Sequence, residues 1–220
     1  MVASGRWRYP RGVIDPPAAV ELVGGPLQLF DRGWLVPGGE YWGEVDDAVP
    51  VPLVEVAAGG RRRSFEFEQL LPGGDDPDPR DPIEEAIALR DAGQPRRAVD
   101  LLEGLVEWDS RCLDAYAHLG LLAFDRGDPG SALTHYAAGV CVAERSLPED
   151  FGGVIGWGWV DNRPFLRCLH GLTLSAWRLE LHDEAEELCW ALLWLNPGDR
   201  LGAAELLPKI VARQSWTRRR

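Results

Sequence analysis

Two Gly-x4-Ala units, Gly93 to Ala98 and Gly127 to Ala132, lie 34 residues apart. Glycine closes a tight turn between antiparallel helices, and alanine five residues on lets the second helix approach the first. The flanking sequence has the matching 3.6-residue period. "IEEAIALRDAG", "RRAVDLLEGLVEW", "DAYAHLGLLAFDRG" and "GSALTHYAAGVCVAE" each place apolar residues on one helical face. After Gly127, Asp128 can cap the next helix and Pro129 suits its first turn. A period of this length belongs to stacked helical hairpins, which bury an apolar face only against their neighbours.

With "YAHLGLLAFDRGDPGSALTHY" around it, the second unit resembles the tetratricopeptide repeat. Tyr116, Leu119, Gly120, Ala123, Gly127, Ala132 and Tyr136 fall where that family keeps its packing residues. A third unit ends in "DEAEELCWALLWLNPGD", with Ala185 and Pro197 twelve residues apart as in the family. The resemblance covers about residues 83–198. The block from "NRPFLRCLHGLTLSAWRL" to "LNPGD" also looks like the last repeat of uncharacterised bacterial tetratricopeptide proteins. The third unit is out of phase: its helix-pairing position falls at Glu180, because "RSLPEDFGGVIGWGWVDNR" (145–163) is inserted. After Pro197, "DRLGAAELLPKIVARQSW" reads as a capping helix, started by Asp199 and kinked or interrupted at Pro208.

The resemblance implies three helix pairs whose first helices line a concave groove for a partner peptide. Its groove positions are Arg167, His170, Leu174, Trp177 and Arg178 in unit three. Unit two supplies Asp114, Ala117, Leu121, Phe124 and Asp125, and unit one Ile83, Ile87 and Arg90. The family's lysine and asparagine arrangement for a C-terminal carboxylate is absent from these positions.

Residues 1–71 read differently. Short apolar runs at 26–31, 33–37, 40–45, 51–57 and 63–71 are separated by Gly- and Pro-rich turns. "SFEFEQL" alternates, with Phe65 and Phe67 on one face and Glu66 and Glu68 on a wet one. Four or five strands in a small sheet or open barrel are expected. An acidic Gly/Pro linker (72–82) then leads to the helical part, residues 83–220. The fold class is α+β: a mainly helical tetratricopeptide-like array with a capping helix, preceded by a small β-rich module.

The chain's net charge of −12 argues against a nucleic-acid surface, and "TRRR" at its end reads as a frayed solubilising tail. No apolar run is long enough to span a bilayer, and the N-terminus lacks the apolar core of a secretory signal. Four widely spaced cysteines suit reduced, buried thiols, so a cytoplasmic location is expected. Cys168 with His170, and Cys112 with His118, lack zinc-ligand spacing. No nucleophile-elbow, zincin, P-loop or dinucleotide motif is present. No metal, no cofactor and no catalytic residue is therefore expected.

"GWGWVDNRPFLR" (156–167) concentrates two tryptophans and two arginines around an Asp-Asn turn. Trp157 and Trp159 are expected to plug the joint between units two and three, with Asp161 or Asn162 capping the next helix. Beyond that cap, Arg163, Arg167, His170, Leu174, Trp177 and Arg178 follow helical steps of three and four and share one face. This basic stripe, with Phe124 and Arg90, is the candidate site for an acidic or carboxylate-bearing peptide. Trp177 is its expected apolar anchor, and Arg167 and Arg178 its charge contacts. The alternative is internal neutralisation of the arginines by neighbouring acids. The function expected is that of a protein–protein interaction adaptor, also able to act within a hetero-complex. A second reading is an enzyme or enzyme subunit with a site between β module and helices, recruiting Asp161, His170 and Arg178 under a glycine-rich lid.

Overall fold

The computed structural model describes residues 25–34, 62–71 and 81–217. Seven α-helices dominate these residues: α1 (Pro82–Asp91), α2 (Pro95–Trp108), α3 (Leu113–Asp125), α4 (Pro129–Glu144), α5 (Arg163–Arg178), α6 (His182–Leu195) and α7 (Ala203–Val211). Several begin as their sequences dictate. Proline occupies the first turn of α1, α2, α4 and α5, where no backbone N–H is needed. The Asp81 carboxylate accepts from the Ile83 N–H at 2.8 Å and that of Asp128 from the Ser131 N–H at 3.0 Å. Gly93 and Gly127 lie in the left-handed region (φ 73° and 90°), closing the turns after α1 and α3. Glu180 takes the same conformation (φ 63°) after α5, so the expected third pairing position adopts the turn without a glycine.

Each helix packs on the next, and α3 also packs directly on α5. A small core of Ile83, Ala86, Leu102, Leu105, Cys112, Ala115 and Leu119 joins α1 and α2 to α3. The main core runs from α3 to α7. Pro208, expected to kink or interrupt the capping helix, does not end it: α7 continues to Val211. Pro208 itself is exposed, so its ring meets solvent and not the core. Asp199 starts α7 as expected, accepting from the Ala203 and Ala204 N–H groups at 2.7 and 2.9 Å. Residues 212–216, read from sequence as part of that helix, are not helical.

Two strands, β1 (Leu29–Trp34) and β2 (Arg63–Phe67), form an antiparallel pair with Leu29 opposite Phe67 and Trp34 opposite Arg63. The runs at 26–31 and 33–37 are thus not separate strands. Leu29–Trp34 is continuous, with a bulge between Asp31 and Gly33 where the Asp31 carboxylate accepts from the Gly33 N–H at 2.9 Å. The runs at 40–45 and 51–57 and most of the linker lie outside the described residues.

The hairpin sits directly on the helices. Phe67 is fully buried, its ring edge-on to Phe165 of α5 with centroids 5.3 Å apart. The insertion completes the contact: the Val154 N–H donates to the Arg63 carbonyl and its own carbonyl accepts from the Phe65 N–H, both at 2.8 Å. Val154 thereby adds a parallel bridge beside Ser64. Glu66, expected on a wet face, is buried. Arg32 covers it with a 2.6 Å ion pair, and the Asp161 N–H lies above its other oxygen. Among the described residues, no helix is long and apolar enough to cross a membrane.

Candidate partner-binding groove

The expected stripe does lie on one helix, α5, but its two ends face different surroundings. At the N-terminal end, Arg163 Nε donates to the Trp157 carbonyl at 3.1 Å, and its guanidinium lies 5.5 Å from the Trp157 ring centroid. Arg167 Nη1 bonds Asp114 Oδ1 of α3 at 3.1 Å. His118 Nε2 stands 3.7 Å from the same carboxylate. Burial raises the Asp114 pKa, opposed by His118 and Arg167. Burial likewise lowers that of His118, opposed by Asp114. At the C-terminal end, Arg178 Nη1 donates to the Phe124 carbonyl at 2.9 Å. Its guanidinium stacks 4.9 Å from the Phe124 centroid and 4.6 Å from that of Trp216.

All three arginines therefore have partners inside the chain, with Asp114 the neutralising acid for Arg167. Replacing Arg167 and Arg178 together by alanine removes a part-exposed ion pair, a charge-assisted hydrogen bond and three ring contacts. The expected loss of unfolding free energy in urea is roughly 2–4 kcal/mol; a loss below about 0.5 kcal/mol would show that these contacts are not held in solution.

Trp177 is not the exposed anchor that the stripe implied: it is 5% exposed. Its indole N–H donates to the Gln214 carbonyl at 2.6 Å, so the ring is held by the segment after α7. Here lies a cavity of about 510 Å³. Phe124 of α3 and His170, Leu174 and Trp177 of α5 line one side, and Arg200, Glu205, Lys209 and Trp216 the other. Four of the eight candidate site residues thus meet at one cavity. Arg163 and Arg167 face the insertion instead, and Arg90 pairs with its neighbour Asp91 on α1. The part of the second wall after α7 was missed from sequence, where Gln214–Trp216 were absorbed into a helix and Thr217 into a frayed end.

His170 lines the α5 wall, and burial lowers its pKa to about 4. It is therefore neutral at pH 7. An unfolded histidine gains its proton near pH 6.5, whereas the folded one resists until about 4. Between these limits the unfolded chain binds more protons, so acidification destabilises the fold by up to roughly 1.4 kcal/mol per pH unit through this residue. Urea titrations from pH 7 to 4.5 should show the wild type losing stability relative to His170→Gln. Parallel pH profiles for the two would show that the imidazole is solvated.

The tryptophan turn forms the joint with the hairpin. A short 3-10 turn (Val160–Asn162) leads into α5. Asn162 sits at the cap position but makes no side-chain capping bond. Its amide is fully buried and turned toward β2. Oδ1 accepts from the Phe67 N–H at 3.0 Å, and Nδ2 donates to the Phe65 and Gly156 carbonyls at 2.8 and 3.1 Å. Trp159 Nε1 donates to Ser64 Oγ at 3.1 Å, and half-buried Trp157 packs against the main core. From β2's side, Arg62 donates to the carbonyls of Gly152, Gly153 and Trp194, and its guanidinium covers the Trp194 ring at 3.9 Å.

Asp161, His170 and Arg178 face three different surroundings. Asp161 stands beside Glu66 and Arg32, its pKa raised by burial and Glu66. His170 faces the cavity, and Arg178 faces Phe124 and Trp216. Among the described residues, no group of three or more His, Cys, Asp or Glu side chains could hold a metal ion. The four cysteines are free thiols, with burial pushing Cys112 up to about 11 and Cys189 up to about 12. No family model matches this chain, and neither a curated protein nor a solved structure is found to be similar to it.

Proposed function

We propose that the chain is a cytoplasmic protein–protein interaction adaptor. In this reading residues 83–198 form a tetratricopeptide-like array, and a segment of a partner protein binds its concave groove without catalysis or a cofactor. One observation carries the reading: the cavity of about 510 Å³ opens at Phe124, His170, Leu174 and Trp177, the positions to which the repeat resemblance assigns peptide contact. Its aromatic and aliphatic side chains supply the kind of desolvated anchor site that dominates peptide affinity. Arg200 and Lys209 against Glu205 give the ionisable side chains lining it a net positive sign, which favours a carboxylate-bearing partner.

The test is selection of a displayed random-peptide library on the full chain, repeated on Leu174→Glu. Leu174 lines the cavity and is only half-buried, so the substitution alters the groove while the fold tolerates it. Enriched peptides should bind the wild type and lose roughly tenfold or more on Leu174→Glu. Peptides indifferent to that change would overturn the reading. So would the absence of any enrichment on both the wild type and a Trp216→Ala chain.

A further inference from the structure

Part of the cavity's second wall is the chain's own segment 214–217, and its seating has the features of a bound peptide. Gln214 gives its carbonyl to the Trp177 indole N–H at 2.6 Å. Two residues on, Trp216 meets Phe124 edge-to-face, centroids 5.6 Å apart and planes at 88°. The Arg178 guanidinium lies 4.6 Å from the Trp216 centroid and 4.9 Å from that of Phe124, joining the two rings. Thus one backbone carbonyl and one aromatic side chain of the segment are recognised by α3 and α5. These are the two kinds of contact by which a groove reads an extended ligand: hydrogen bonds to the main chain and a slot for a side chain.

We propose that the slot between Phe124 and Arg178 is a specificity pocket for an aromatic side chain on the partner segment, and that Trp216 fills it as a built-in competitor. This inference rests on the groove reading above and adds the class of residue recognised and how access to it is regulated.

Two observations make the occupant displaceable. The segment turns back at Arg213, a non-glycine residue held in the left-handed region (φ 50°), a conformation that L side chains disfavour. That turn is closed by the Arg213 N–H to Ile210 and the Gln214 N–H to Lys209 carbonyl bonds, and by an exposed Arg213–Asp183 ion pair of 2.6 Å. Charge also leaves room for a better-matched occupant. The cavity carries Arg200 and Lys209 against Glu205 beside Arg178, and residues 214–217 include no carboxylate. A partner segment with an aromatic residue and nearby carboxylates matches the same slot with better electrostatics.

The experiment compares the full chain with its Trp216→Ala variant in two measurements. One is the rate at which trypsin cuts after Arg213, which is slow while residues 214–217 are seated. The other is binding of a labelled synthetic peptide of residues 212–220, alongside the same peptide with its tryptophan changed to alanine. The variant should be cut roughly tenfold or more faster and should bind the tryptophan peptide at least as many times more tightly than the wild type does. The alanine peptide should bind neither. Unchanged cleavage would overturn the inference by showing that Trp216 does not hold the segment. Faster cleavage without peptide binding would overturn it too, making Trp216 a permanent structural cap. Either failure can occur while the selected peptides still depend on Leu174, so it is separable from failure of the groove reading.

Discussion

Asn162→Ala is expected to cost about 3–5 kcal/mol of unfolding free energy. Asn162 is fully buried, and its amide serves the Phe67 N–H and the carbonyls of Phe65 and Gly156. Truncation leaves the buried Phe67 N–H without its acceptor and takes a donor from the Phe65 and Gly156 carbonyls, and it opens a space where the hairpin meets α5. The effect should be largest locally. Hydrogen exchange at Ser64–Phe67 should accelerate far more than exchange within α1 and α2, which belong to the other core. Asn162→Asp is nearly the same size but should also fail. Its second oxygen would face the two carbonyls that Nδ2 now serves. A loss below about 1 kcal/mol for the alanine variant would mean that water enters the joint and replaces the amide.

Gly171→Ala and Gly120→Ala are expected to destabilise by about 2–3 kcal/mol each, although alanine is the better helix former by about 1 kcal/mol. The reason is Tyr136 of α4. Its ring lies between Gly120 of α3 and Gly171 of α5, and a Cβ at either glycine would overlap it. With a helix on both sides and 5% exposure, the ring has nowhere to move. The helices would have to separate, weakening the packing of α3 on α5, both of which line the cavity. Tyr136→Leu should make Gly171→Ala close to neutral, giving a favourable coupling of roughly 2 kcal/mol in a double-mutant cycle measured by urea unfolding. Additive losses would show that the ring does not fill the gap between these two glycines.

The helical part was legible because its determinants are local. Gly93, Gly127, Asp128 and Pro129 act within a few residues of themselves, and the 3.6-residue period lies in the sequence itself. The helices at 82–91, 95–108, 113–125 and 129–144 therefore fall within a residue or two of the periodic segments. The shared face of Arg163, Arg167, His170, Leu174, Trp177 and Arg178 was legible for the same reason, since position on a helix follows from spacing alone.

What faces those residues was not legible. Whether an arginine stripe meets solvent or an acid depends on which helix packs opposite. Here α3 brings Asp114 to Arg167 and the Phe124 carbonyl to Arg178, across sequence separations that no local pattern records. Trp177 reads as an exposed anchor until residues 212–217 fold back over it, and Glu66 reads as a wet-face residue until the insertion covers it. Asn162 carries an ordinary capping signal, yet long-range pairing with Phe65 and Phe67 took its amide instead. The sequence by itself determined which segments are helices and which side chains share a face. Only the tertiary structure decided which faces are covered and by what, because burial and partner choice arise between segments far apart in the chain.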